Sequence, residues 1–421
     1  MKLKLPTKLR TDKLAEFLIL FPLWGSWLPG AAAYLLDIVW ILLLMGLLRF
    51  WKNLHTERVS GIALWILLFL GMTGLVCLVQ RQPVMFYLWG LRNNFRFYAA
   101  FFSYALFLNG RDVESLWRRF DRLFWINFLL TLVQFVLFRL RGDYLGGLFG
   151  TQQGCNGYTK LFLVIMVTKY VVFYLEGMNS WDRCLSVCAA ALLTAALAEL
   201  KFFFVEFALV VCLAILWARG SQRKYLLVLA GLVGAVCCAM LLYRLFPEFG
   251  GWFHPSAMLK TATADVGYAS AGDLNRLTAI ADLNQKFFES PWQRLFGLGL
   301  GSCDHSGFSF LTTRFYQVYE GLHYTWMSHA FLYLETGYLG LLYFFGFFLI
   351  TAVTARRREG QAGPRWRAYC RVSRILAVVC MLVGLYNASL RSEAGYYVYF
   401  VLAMPFGRGL DGKNTETKCA L

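Results

Sequence analysis

Of the chain's 421 residues, 59% are hydrophobic and only 15% charged, and the mean hydropathy is +0.54. A soluble domain covers its surface with about 25% charged residues, so this composition excludes a soluble globular protein. The net charge of +17 sits in short basic clusters between apolar runs, which points to anionic lipid headgroups and anionic lipid-linked substrates as partners rather than nucleic acid.

Apolar runs of membrane-crossing length recur throughout, and in lipid each must satisfy its own backbone hydrogen bonds. The runs are continuous rather than alternating, so helices are expected at 14–29, 32–49, 61–80, 84–108, 123–140, 159–176, 184–199, 202–218, 225–245, 326–353, 373–390 and 395–407. The expected fold class is an all-α polytopic membrane protein with about twelve transmembrane helices and one large outer loop. Five Lys/Arg within residues 1–13 keep the N-terminus in the cytoplasm. Basic residues then fall in every second loop: Arg49, Lys52 and Arg58; Arg111, Arg118, Arg119 and Arg122; Arg219, Arg223 and Lys224; and Arg356, Arg357, Arg358, Arg365, Arg367, Arg371 and Arg374. This places both termini in the cytoplasm and the protein in the cytoplasmic membrane.

Three segments follow from that topology: membrane helices one to nine in residues 1–245, an extracytoplasmic loop in 246–325, and helices ten to twelve with a cytoplasmic tail in 326–421. A second outer loop, 141–159, is glycine-rich. Within the large loop, Leu274, Leu277, Ile280, Leu283 and Phe287 recur with a helical period, predicting an amphipathic helix over 273–288 that lies on the membrane or caps a cavity. The cysteines lie mostly in apolar runs and read as small hydrophobes. Cys155 and Cys303 both fall in outer loops, where a disulfide is open to them. No clustered ligand set implies a metal, and no cofactor is implied.

The informative residues are charges inside or at the ends of apolar runs. Arg92 and Arg96 form an i, i+4 pair; they either snorkel to the interface or offer guanidinium forks to a diphosphate. Glu199 and Lys201 occupy a very short turn, solvated or facing a polar cavity. Asp37 and Lys169 read as structural ion-pair partners. Gly297-Leu298-Gly299-Leu300-Gly301 lacks the βαβ context of a dinucleotide fingerprint and is expected to be a flexible turn. His329 opens the tenth helix with Glu335 less than two turns on, either as a hydrogen-bonded structural residue or as an acid, base or phosphate donor.

Taken in order, three stretches resemble the O-antigen polymerase and O-antigen ligase superfamily of bacterial envelopes. Gly147-Leu148-Phe149-Gly150 followed by Asn156 is similar to its outer-loop "G-x-F-G … N" pattern. Asn275-Arg276 through Trp292 to Gly297-Leu298-Gly299-Leu300-Gly301 is similar to its "N-R … P … G-x-G-x-G" loop. His329, Leu332, Glu335, Gly337 and Gly340 match "H-x-x-L … E-x-G-x-x-G". Together they cover roughly residues 140–345. Ala330 stands where the family often has Asn, and the ligase Arg pattern near Arg139 and Arg141 is not cleanly present.

The resemblance implies a membrane-embedded, metal-independent glycosyltransferase with a GT-C-like fold. Such enzymes transfer glycan from undecaprenyl diphosphate on the outer face. The expected activity is polymerisation of lipid-linked oligosaccharide repeat units into a surface or capsular polysaccharide, with a chain-length regulator and a lipid-linked glycan flippase as possible partners. Arg276 and His329 are the expected catalytic residues; Arg92, Arg96, Lys201, Glu199 and Glu335 are the expected substrate-binding ones. A ligase transferring the finished glycan to another acceptor, and a secondary transporter, stay open.

Overall fold

In the computed structural model, the described residues are 10–24, 27, 30–54, 59–218, 223–245 and 273–407. Among them the regular structure is helical. Nine helices precede the large loop: α1 Thr11–Trp24, α2 Tyr34–Arg49, α3 Ser60–Val79, α4 Val84–Phe107, α5 Gly110–Val136, α6 Asn156–Leu175, α7 Trp181–Leu197, α8 Lys201–Trp217 and α9 Arg223–Leu245. Three short helices follow, α10 Ala279–Phe287, α11 Pro291–Phe296 and α12 Arg314–Tyr319. The chain then forms α13 Ser328–Glu359, α14 Pro364–Tyr386 and α15 Gly395–Ala403. Each expected apolar run carries a helix. Four of these, α3, α6, α13 and α14, are long and apolar enough to cross a membrane.

The departures have physical reasons. α5 starts at Gly110 rather than 123, because Asn109 and Asp112 form a reciprocal capping box ahead of a charged first turn. α14 starts at Pro364, an N1 proline, well before 373. It ends at Tyr386, so residues 387–390 are not part of it. α15 has nine residues, a rise of about 13 Å, and continues only as the 3₁₀ turn Met404–Phe406. The amphipathic helix is about two turns shorter than expected, nine residues at Ala279–Phe287: residues 276–278 form a turn, and Leu277 is exposed. The part of the large loop at 246–272 lies outside the described residues.

The core is built on α6 and α15, whose side chains are almost all buried. By contrast α3 buries Ile62, Ile66, Phe69 and Val76 on one side and exposes Leu64, Leu67, Leu68, Leu75 and Leu78 on the other. A helix apolar all round with one face open suits a lipid-facing position. The 145–150 stretch is not a solvated loop but is buried against α5. There Gln134 accepts from Gly147 N (2.7 Å) and donates to Gly147 O (2.9 Å), while Asn127 Oδ1 accepts from Leu148 N (2.9 Å). Asp37 pairs with Arg92 and Lys169 with Asp121, so both are ion-pair partners as their sequence setting suggests. Cys155 and Cys303 are separate buried thiols. Burial raises the first to about 11 and pushes the second well up.

Candidate functional site

The Gly297–Gly301 run is a lock, contrary to the expected flexible turn. All three glycines have positive φ, at 75°, 101° and 84°. A Cβ on Gly301 would stand 2.0 Å from Phe86 O of α4, and one on Gly297 2.4 Å from the Glu335 carbonyl carbon of α13. Leu298 N and Gly299 N donate to Leu334 O (2.8 Å) and Glu335 O (2.9 Å). α13 exposes those carbonyls because it breaks at Gly337 (φ 61°, ψ −161°). Glycine is needed here because backbone meets backbone.

This lock holds the start of α13 beside the segment before α10. His329 is buried, and its Nε2 lies 2.9 Å from Arg276 O. A carbonyl only accepts, so Nε2 carries the proton. Arg276 Nε donates to Tyr386 O (2.9 Å), and its guanidinium lies 4.3 Å from the Tyr386 ring centre. Arg276 and His329 therefore meet, joined directly through the Arg276 carbonyl, with the Arg276 side chain held on the end of α14. Next to them is a pair that sequence reasoning missed. His323 Nδ1 is 2.8 Å from Oδ1 of buried Asp273, and the imidazole stacks on Trp326 with ring centres 3.9 Å apart. His323 has a left-handed backbone (φ 52°), uncommon for a non-glycine residue. A crevice of about 10 Å³ lies between Asp273, Leu274, Arg276, His323, Trp326 and Met327.

Arg92 and Arg96 do not form a common fork. Arg92 grips Asp37 with two bonds, Nε–Oδ1 3.0 Å and Nη2–Oδ2 2.6 Å. Arg96, fully buried, faces Glu393 at 3.4 Å, and Tyr158 donates to the same carboxylate (2.6 Å). Burial pushes the Glu393 carboxyl up, but Arg96 and Tyr158 outweigh it and hold it below the usual range. Glu335 is buried; its Oε1 accepts from Cys303 N (3.2 Å), and its Oε2 has no hydrogen-bond partner among the described residues. Arg391 stacks on Phe331 at 3.3 Å, and Asp304 and Glu335 are the carboxylates acting on it. Asn93 donates to Asp304 (2.6 Å), tying this group to α4.

Glu199 and Lys201 sit at the α7–α8 turn. Glu199 has φ 54° and packs its carboxylate against Gly142, while Lys201 is exposed. Beneath them is a second missed pair, Lys160 on α6 and Glu206 on α8, 2.9 Å apart and both buried. The Lys160 ammonium lies 5.3 Å from the Tyr386 ring centre and 5.4 Å from that of Phe202, and these two rings stack at 3.7 Å. All three groups thus touch one segment, 386–393. Tyr386 meets Arg276, Phe202 and Lys160; Arg391 O accepts from Arg96; Glu393 meets Arg96. The polar run Asn387-Ala388-Ser389-Leu390-Arg391-Ser392-Glu393 between apolar helices was the available signal.

No family model and no curated protein matches this chain.

Proposed function

We propose that the chain is a membrane-embedded glycosyltransferase with GT-C-like architecture and about twelve spans, polymerising undecaprenyl-diphosphate-linked repeat units on the outer face of the cytoplasmic membrane. The observation that carries this reading is the junction at the end of α14, where Arg276 lies on Tyr386 and is bound through its backbone to His329. As the glycosidic bond breaks, negative charge grows on the leaving diphosphate, and preorganised cations aimed at it supply the main stabilisation. The Tyr386 carbonyl and ring fix the plane of the Arg276 guanidinium, which suits bidentate recognition of phosphate oxygens.

His329 acts through Arg276: its Nε2–H holds the Arg276 carbonyl, making it a positioning residue. His323, oriented by Asp273, has the geometry of a general base for the acceptor hydroxyl. Arg92, Arg96 and Glu335 hold the walls through their carboxylate and backbone partners, and Lys201 and Glu199 mark the rim on the α7–α8 side. The resemblance of the three motif stretches to the polymerase and ligase superfamily supports the same reading.

The test is incubation of the purified chain in vesicles with lipid-linked repeat units. A ladder of polymer lengths supports the polymerase. A single transfer of the glycan to another added acceptor would favour the ligase, and exchange of a radiolabelled solute without any new glycosidic bond would favour a secondary transporter.

A further inference from the structure

At the far end of α13 from His329, the helix, the following turn and α14 form a cavity of about 340 Å³ with Trp217 of α8, lined by Arg356, Glu359, Gly360, Arg367 and Arg374. From Gly337 to Glu359 the helix rises about 33 Å at ~1.5 Å per residue, slightly more than the ~30 Å hydrocarbon thickness of a bilayer. The cavity therefore opens a membrane thickness away from the Arg276 site and is independent of the reading given to that site.

Its charges do not balance. Glu359 is the carboxylate in its lining, and it is already shared: Arg371 Nη2 lies 2.6 Å from Oε1 and Arg374 Nη1 2.9 Å from Oε2. Arg371 also pairs with Glu176. Arg356 and Arg367 are exposed and make no ion pair among the described residues. The Arg374 guanidinium lies only 3.7 Å from the Trp217 ring centre, so its plane is fixed over an apolar wall. Surplus arginines around a cavity of small-molecule size, next to an aromatic ring, suit an anion carrying both phosphate oxygens and an apolar neighbour.

We propose that this cavity binds a phosphate group, with an anionic phospholipid headgroup or a free phosphate as its source. Arg356 and Arg367 supply the unneutralised charge, and Arg374 on Trp217 supplies the oriented fork. Each basic side chain near an anionic surface contributes ~1 kcal/mol, which converts to about fivefold in affinity per arginine and roughly thirtyfold for two.

The experiment titrates the full chain, in neutral phosphatidylcholine nanodiscs, with phosphatidylglycerol, and separately with inorganic phosphate, reading bound ligand by native mass spectrometry. Wild type should retain phosphatidylglycerol over phosphatidylcholine, and Arg356→Gln/Arg367→Gln should weaken that retention about thirtyfold while melting normally in neutral lipid. Competition by millimolar phosphate would place the source in solution; indifference to it would place the source in the bilayer. Equal retention by wild type and the double variant, or no preference for the net-anionic phosphatidylglycerol over zwitterionic phosphatidylcholine together with no binding of inorganic phosphate, overturns the proposal. If the double variant melts early, Trp217→Leu, which removes the ring under Arg374 and no charge, replaces it and should weaken retention severalfold.

Discussion

The two ends of α13 use arginine in opposite ways. At the His329 end, Arg92 and Arg96 each face a carboxylate from another element, Asp37 and Glu393, and buried Lys160 faces Glu206. At the Glu359 end, Arg371 and Arg374 share Glu359 while Arg356 and Arg367 make no ion pair among the described residues. A paired cation in an apolar interior fixes geometry, because removing one partner strands the other's charge. A surplus cation at a water-exposed rim adds little to folding and is available to an external anion. The first end is thus built to hold a constellation still, and the second to attract.

Substitutions at the two ends should differ in their cost. Lys160→Met strands the Glu206 carboxylate and should cost ~3–5 kcal/mol in unfolding stability. Lys160→Met/Glu206→Leu should recover most of that loss, since an apolar pair of similar volume replaces the ions. Thermal melts in detergent read both, and a double variant no better than the single one would deny that pairing is what matters. Gly301→Ala should cost about 2–5 kcal/mol, combining a left-handed alanine with a backbone clash against Phe86. Gly154→Ala, at φ 83° with nothing within 4 Å, should cost only the backbone strain of ~1–2 kcal/mol. Similar melts for the two glycine variants would show that the lock is looser than its geometry. At the other end, Arg356→Gln should change stability by no more than about 0.5 kcal/mol; a large loss would mean that this arginine is paired after all.

Much of the fold was legible because lipid makes apolar length a direct reading of helices. The charged starts of α5 and α14 were not legible from hydropathy, although Asn109 with Asp112 and Pro364 announced them locally. Charges in apolar runs were partly legible: Asp37 and Lys169 stood out, while Lys160 and Glu206 were overlooked despite the same setting. The Gly297–Gly301 run shows where sequence falls short. Glycine states that a backbone is unusual or crowded, but only the facing elements, Phe86 and Glu335, say which. The site's hub was hidden for a similar reason. A helix drawn to 390 absorbed Asn387 and Ser389, when the chain in fact leaves the helix at Tyr386 and turns its polar groups on Arg276, Arg96 and α13. His323 and Asp273 are fifty positions apart, and no periodicity links residues at that separation.

We propose for Arg276, fixed on Tyr386, the task of stabilising the leaving diphosphate. That role is tested most directly by the initial rate of polymer ladder formation in vesicles by wild type, Arg276→Lys and Arg365→Gln. Lysine keeps the charge but loses the planar fork, and losing one preorganised donor costs roughly 10²–10³ in rate. Arg365, mostly exposed and paired with Glu114 at the opposite end, should not matter. Arg276→Lys should fold normally and show a drop of that size, and Arg365→Gln should keep a rate within twofold of wild type. A folded Arg276→Lys protein that builds the ladder as fast as wild type would contradict it.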